Sequence, residues 1–231
     1  MQLAGWNLID EKAGVLWREY SFSKGAKATT LVFRGAEGLV VVSPATGLEA
    51  RDYDALKEIG EVRALIANNT FHHLGQLPWR AHFPEAVSYC PPRAVKALHK
   101  KVPSVAFQSM DALALPENVR YEDPPGFKTG EVVLSVGTAR GSVWYTGDLL
   151  TNLQSIPKAP VGWLFSWTDS GPGYRLFRPG VWLFIKDKKA AREWALARVA
   201  KEPPAIVIPG HGPAIDAADV AEQTRVQLER L

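Results

Sequence analysis

The stretch Asn68-Asn69-Thr70-Phe71-His72-His73-Leu74-Gly75 puts two adjacent imidazoles just past an apolar run, Val62 to Ala67. A histidine pair at the mouth of a short buried strand, with a glycine close behind, is hard to explain as core packing. Two later stretches match it in kind: Thr146-Gly147-Asp148 and Pro209-Gly210-His211-Gly212, each after its own apolar run. Ligand-type side chains at the ends of three strands can converge on one point in an α/β fold. Each also has a structural alternative. The histidines can bond nearby backbone, Asp148 can accept from amides, and the two glycines of Pro-Gly-His-Gly make a tight turn by themselves.

The elements that must position these groups follow from periodicity. Gly14 to Phe22, Ala28 to Arg34 and Leu39 to Val42 read as strands, the last after a hairpin turn at Gly35 to Gly38. Tyr53, Leu56 and Ile59 step at helical spacing before Gly60. A strand at Val62 to Ala67 precedes the histidine turn, and Leu74 to Phe83 predicts a short helix. Ala86 to Cys90 is a strand, Arg93 to Val102 a helix opened by Pro92, and Glu131 to Val136 and Ser142 to Tyr145 are strands. From about 150 to 185 periodicity fails among Pro157, Pro160, Pro172 and Pro179 and the aromatics Trp163, Phe165, Trp167, Phe177, Trp182 and Phe184. So many aromatics predict a structured excursion rather than disorder. Asp187 caps an alanine-rich helix to about Lys201, Ala205 to Ile208 is a last strand, and Ala217 to Leu231 a closing helix.

Composition narrows the class. With 46% hydrophobic and 22% charged residues over 231 positions, the chain is an ordinary globular domain. No apolar run is long enough for a membrane helix, and the start Met1 to Trp6 lacks the pattern of a signal peptide, so a cytoplasmic location is expected. Cys90 is the only cysteine, which excludes an internal disulfide and a thiolate-rich zinc site. A net charge of +3 with scattered Lys and Arg argues against nucleic acid. The expected partner is a small molecule, with no membrane contact.

These residues together resemble the metallo-β-lactamase superfamily. Its metal loop reads H-x-H-x-D-H-x-G after a strand. A histidine in an H-T-P-G-S-like turn, an aspartate in T-G-D and a histidine in P-G-H-G follow. Thr146-Gly147-Asp148-Leu149 and Pro209-Gly210-His211-Gly212 match closely. The resemblance spans essentially the whole chain and implies one domain, 1–231. The implied architecture is an αββα four-layer sandwich of two mixed β-sheets with helices outside. The metal loop departs from the pattern. Aligning His73-Leu74-Gly75 leaves Asn68 and Thr70 where the first two histidines stand, and His72 takes the aspartate's place. The later turn is read as Gly137 to Ser142, with Thr138 at the third histidine, and Ser43 stands where the family often carries a strand-end aspartate. Amides and hydroxyls are poor zinc ligands, so the resemblance implies that the first metal site is lost. The second-site ligands fall on His72, His73, Asp148 and His211, a set that suits one Zn²⁺, Fe²⁺ or Mn²⁺. Such a site can acidify water, with His72 and Asp148 as the catalytic pair.

Asn68, Thr70 and Thr138 are then expected to bind substrate, and Trp79, Trp163 and Trp167 to line an apolar pocket or lid. Trp163 and Trp167 have an alternative as core that plugs the site or as a homodimer patch. Two functions follow. One is a hydrolase with at most one metal, acting on an ester, lactone, thioester or phosphoester. The other is a metal-free binding module, with Arg140 as an anion contact. The missing first site argues against a nuclease or an antibiotic-degrading enzyme. Among the remaining candidates, Cys90 is expected in the core, His82 packed or on the surface, and His99 solvated.

Overall fold

Short alternating apolar runs give the first half of the chain its strands. The computed structural model describes residues 2–156 and 161–231, so Pro157 and Pro160 lie outside the described residues. β1 (Gln2–Leu3), β2 (Trp6–Asp10), β3 (Val15–Ser23), β4 (Ala26–Arg34) and β5 (Leu39–Val42) pair antiparallel in order. The β4–β5 hairpin closes where Gly35 N–H donates to the Gly38 carbonyl at 2.7 Å. After α1 (Ala50–Lys57) come β6 (Val62–Ile66), α2 (Gln76–His82), β7 (Val87–Cys90), α3 (Val95–Lys101) and β8 (Phe107–Ser109). Their strands continue the same sheet in parallel. β9 (Val119–Glu122), β10 (Val133–Thr138) and β11 (Gly141–Tyr145) form an antiparallel second sheet. Next come β12 (Leu150–Leu153), α4 (Val161–Trp167), β13 (Gly173–Leu176), α5 (Arg178–Phe184) and α6 (Lys188–Lys201). β14 (Pro204–Ile208) joins the second sheet parallel to β11, and α7 (Val220–Leu228) follows it.

The inner faces of the two sheets pack on each other: Leu31, Phe33 and Val42 of the first meet Leu134, Val143 and Ile206 of the second. The outer face of the first sheet is covered by α1 and α2 through Tyr53, Leu56 and Trp79. The outer face of the second is covered by α6 and α7 through Ala195, Val199 and Leu228. Two mixed sheets with helices outside make the expected αββα sandwich. Among the described residues no helix is long and apolar enough to cross a membrane.

Several expectations change at this level. Trp79 is not a pocket residue. The first turn of α2 aims it inward, where it is fully buried, edge-on to Trp6 at 6.2 Å, with its Nε1–H donating to the Ala45 carbonyl at 2.9 Å. Cutting such a ring to alanine costs about 3–5 kcal/mol. The 150–185 excursion is ordered where described. β12 and β13 form an antiparallel ribbon, and α4 and α5 flank it. Asp187 caps α6 as expected, its Oδ1 accepting from Ala190 N–H at 3.0 Å. Cys90 is buried on β7, and burial pushes its thiol up to about 12. His82 stacks on Tyr53 with ring centroids 3.9 Å apart.

Candidate metal centre

Three strand ends supply the site. His72 follows β6, Asp148 follows β11 and His211 follows β14. Gly147 turns the chain after β11 at φ +54°, and a Cβ there would overlap the Glu131 carboxyl, so both conformation and space call for glycine. The His211 loop is held from both sheets. Gly210 N–H donates to the Gly147 carbonyl at 2.7 Å. From β4, Thr29 N–H reaches the Gly210 carbonyl at 2.8 Å and Thr29 Oγ1 the Gly212 carbonyl at 2.8 Å.

Asp148 Oδ1 lies 3.0 Å from His72 Nε2 and 3.2 Å from His211 Nε2. Ligand atoms of the three residues all lie within 4.8 Å of one another. His211 Nδ1 is 2.6 Å from the Lys27 carbonyl, which can only accept, so Nδ1 carries the proton. A neutral His211 ring then aims a bare Nε2 lone pair at a carboxylate, which is favourable only if a proton or a cation lies between them. His72 Nδ1 sits 2.6 Å from Ser43 Oγ, which is 3.0 Å from the Tyr20 hydroxyl. Ser43 reaches this position at φ +52°, a left-handed conformation that costs a non-glycine residue about 1–3 kcal/mol. Held ring nitrogens on the far side are what orient metal-binding histidines. Around a divalent ion with bonds of about 2.1 Å, neighbouring ligands stand about 3.0–3.4 Å apart, which the two oxygen–nitrogen separations match. Two imidazoles and one carboxylate are a donor set for Zn²⁺, Fe²⁺ or Mn²⁺. The residues present fit one divalent ion.

Electrostatics reinforce the arrangement. Burial alone would raise the Asp148 carboxyl; the His72 charge and hydrogen bonds from His211 and His72 outweigh it and hold Asp148 well below its usual range. Burial alone would lower the His211 pKa, and the hydrogen bond and charge of Asp148 overcome it, so the ring is raised above 6.5.

Beside this cluster lies a second, closed network that the sequence did not disclose. Asn69 Nδ2 donates to Asp148 Oδ2 at 2.8 Å and to Glu131 Oε2 at 3.0 Å, and Asn68 Nδ2 donates to Glu131 Oε1 at 2.9 Å. Burial first, then the Asp148 charge, push the Glu131 carboxyl well above its usual range, against the pull of the two amides. Asn68 and Thr70 are thus buried beside the cluster rather than open to a substrate, and the Thr70 carbonyl accepts from the Lys101 ammonium at 2.6 Å. Glu131, Asn69, Ser43 and Tyr20 carry the surroundings of the site. Their sequence signals are slight, the best being a carboxyl directly before the apolar run Val132 to Leu134.

Other site candidates lie elsewhere. His73 is not among the three converging residues. Its Nδ1 is buried without a hydrogen-bond partner, and burial and the Lys101 charge push its pKa down. Thr138 ends β10 in the β10–β11 hairpin, where its Oγ1 donates to the Gly141 carbonyl at 2.8 Å. Five strand residues from Val133, it is about 17 Å along the sheet from the site. The turn that does reach the site is Phe127-Lys128-Thr129-Gly130-Glu131, which lines a pocket beside Asn69 and Asp148. Arg93 fixes that turn through the carbonyls of Phe127 and Pro124. Arg140 is spoken for by Asp216, at 2.7 and 2.8 Å. Trp163 and Trp167 are 72% and 79% exposed and line neither the cluster nor its cavity. The aromatic wall is made instead by Phe22, Phe71, Phe177 and Phe184, around a cavity of about 260 Å³ that opens on His72, Asp148 and His211.

The fold is found in known proteins. DIM-1 metallo-β-lactamase, in a structure exposed to ceftazidime, aligns with a TM-score of 0.62 at 16% identity, over 100% of this chain and 99% of that one. A metallo-β-lactamase from Hirschia baltica aligns at 0.61 and 13% identity over 96% of each chain. FIM-1 from Pseudomonas aeruginosa, in its mono-zinc form, aligns at 0.58 and 12% identity over 97% of this chain and 94% of that one. The chain has the metallo-β-lactamase fold. No family model matches the sequence, and no curated protein matches it.

Proposed function

We propose that the chain is a metallo-β-lactamase-fold hydrolase with a single divalent ion, acting on an ester, lactone, thioester or phosphoester. The observation that carries this reading is the meeting of His72 Nε2, His211 Nε2 and Asp148 Oδ1, while the far nitrogens of both rings are held by Ser43 and Lys27. A divalent ion held there supplies Lewis acidity toward a carbonyl or phosphoryl oxygen and acidifies water. The chain's own residues prepare the place. Asn69 fixes Asp148 through Oδ2, leaving Oδ1 to the two imidazoles. Asp148 is held anionic, and His72 keeps it aligned. Phe71 and Phe184, with ring centroids 5.3 Å apart, form one side of the cavity's wall.

A second reading is a metal-free binding protein. Its support is that 3.0 and 3.2 Å are also direct hydrogen-bond separations, with His211 protonated. Elemental analysis of protein purified without a histidine tag separates the two. The hydrolase reading expects about one equivalent of zinc, iron or manganese, lost in His211→Ala. Protein that stays metal-free after incubation with excess ion leaves the binding reading.

A further inference from the structure

The cavity over the cluster does not end at His211. A second cavity of about 290 Å³ shares Phe22, Phe177 and His211 with the first and continues past Leu153 and Phe165. The two are lobes of one groove, with the His211 ring at the waist. Phe22, 40% exposed, stands edge-on to that ring at 5.9 Å, and Phe165 and Phe177 form the far wall with centroids 5.6 Å apart.

The charge along this groove is as informative as its shape. Among the described residues no lysine or arginine lines the lobe over the cluster, so the charge there is that of the Asp148 carboxylate and of the ion it would hold. The far lobe is bordered by Lys27, but its ammonium lies 61% exposed, 4.0 Å from Glu19. Lys101 stands over the Phe71 ring at 4.5 Å and is bonded to the Thr70 carbonyl. Recognition of a carboxylate or phosphate in a partly desolvated site calls for a paired cation. This groove offers aromatic faces instead.

Resting on the hydrolase reading, we infer that the substrate is an uncharged carboxylic ester or lactone with apolar groups on both sides of the scissile bond. Its reacting carbonyl lies at the His211 waist and its apolar tail in the lobe bounded by Leu153, Phe165 and Phe177. Acyl groups that carry their own anion are disfavoured in that lobe, where among the described residues the bordering Lys27 is turned to solvent beside Glu19. The reaction adds water across the acyl–oxygen bond and yields a carboxylic acid and an alcohol.

The test uses metal-loaded whole protein and 4-nitrophenyl acetate, butyrate and octanoate, beside the hemisuccinate and the phosphate. The expected result is a rise in kcat/KM of at least tenfold from acetate to octanoate, in line with the value of methylenes in an apolar pocket. Hemisuccinate and phosphate should be cleaved at least tenfold more slowly than butyrate. Leu153→Asp should flatten the octanoate-to-acetate ratio, a quantity that cancels any loss of folded protein. A flat series in the unaltered protein, or a preference for either anion, overturns the inference. A separate arm uses 2-heptanone, which cannot be hydrolysed, followed by saturation-transfer NMR. Binding that is lost in Leu153→Asp, with no ester cleaved, overturns the hydrolase reading and keeps the groove's assignment to neutral apolar ligands. Ester cleavage without ketone binding overturns the groove and keeps the hydrolase.

Discussion

Two neighbouring pockets of polar residues, sharing Asp148, behave in opposite ways. On one side, His72 and His211 each spend one ring nitrogen on a fixed partner and turn the other toward Asp148. On the other, the amides of Asn68 and Asn69 both donate to Glu131, while Asn68 Oδ1 has no hydrogen-bond partner among the described residues. Both are buried and both centre on a carboxylate. The difference is that amides bring their own hydrogens to a carboxyl, whereas a His211 ring whose Nδ1 proton goes to the Lys27 carbonyl turns a lone pair toward Asp148 until a proton or a cation is brought between them. Burial of polar groups therefore does not mark a binding site by itself. What marks it is a set of donors whose bonds are incomplete.

That contrast can be broken most sharply at the shared residue. Asp148→Ala should abolish metal retention and lower the urea-unfolding free energy by about 3–5 kcal/mol, since it strips the partner from two imidazoles and an amide. A variant that binds metal and unfolds like the original protein would erase the distinction. Next in size is the pair His211→Ala and His73→Ala. The first should drop bound metal from about one equivalent to near zero by elemental analysis, and the second should keep it, because His73 lies outside the cluster. Ser43→Ala should weaken metal affinity about 10–100-fold by titration, through loss of the hydroxyl that holds His72 Nδ1. Ser43→Gly should lose the same affinity yet fold more stably than Ser43→Ala, because glycine accepts the left-handed backbone.

The smallest effect lies on the closed side and is read in the metal-free protein. Glu131 is held above 4.5, so between about pH 4.5 and its folded value the native state keeps a proton that the unfolded chain has released. Stability falls as pH rises through that window, and Glu131→Gln should remove this falling limb from a series of urea midpoints. Asp148 is held below 3.8 and contributes stability that is present above 3.8 and lost as pH falls through its folded value. That acid limb should survive in Glu131→Gln.

The strands, the sandwich and all three cluster ligands were legible because their signals are local. Alternation sets a strand's buried face, and Thr-Gly-Asp and Pro-Gly-His-Gly each carry a glycine that the backbone needs. Thr138 was assigned to the site because a degenerate turn offers no histidine to fix its register. In the fold, 137–142 makes a hairpin and 127–131 makes the approach. His73 matched a motif position, but adjacent side chains in a turn diverge, and only His72 faces Asp148. Ser43 was legible only as a departure from the family's strand-end aspartate and Tyr20 not at all, because their role depends on two strands meeting and on an unusual φ. The tryptophans changed places for a related reason. Composition places aromatics near a site, but the turn of each helix decides which face they occupy, so Trp79 went inward and Trp163 and Trp167 outward.

His72 is carried by the eight-stranded sheet, whereas Asp148 and His211 are carried by the four-stranded one, and Thr29 already laces the His211 loop back to the first. The cluster is therefore a clasp across the seam of the sandwich. An ion that binds there ties the two sheets directly, so its occupancy couples to cooperative unfolding of the whole domain. At a free ion concentration one hundred times the dissociation constant, this linkage adds about 2.7 kcal/mol. Stripping the ion with a chelator should lower the Tm of the entire molecule in one step, making the melting curve a direct gauge of how full the site is.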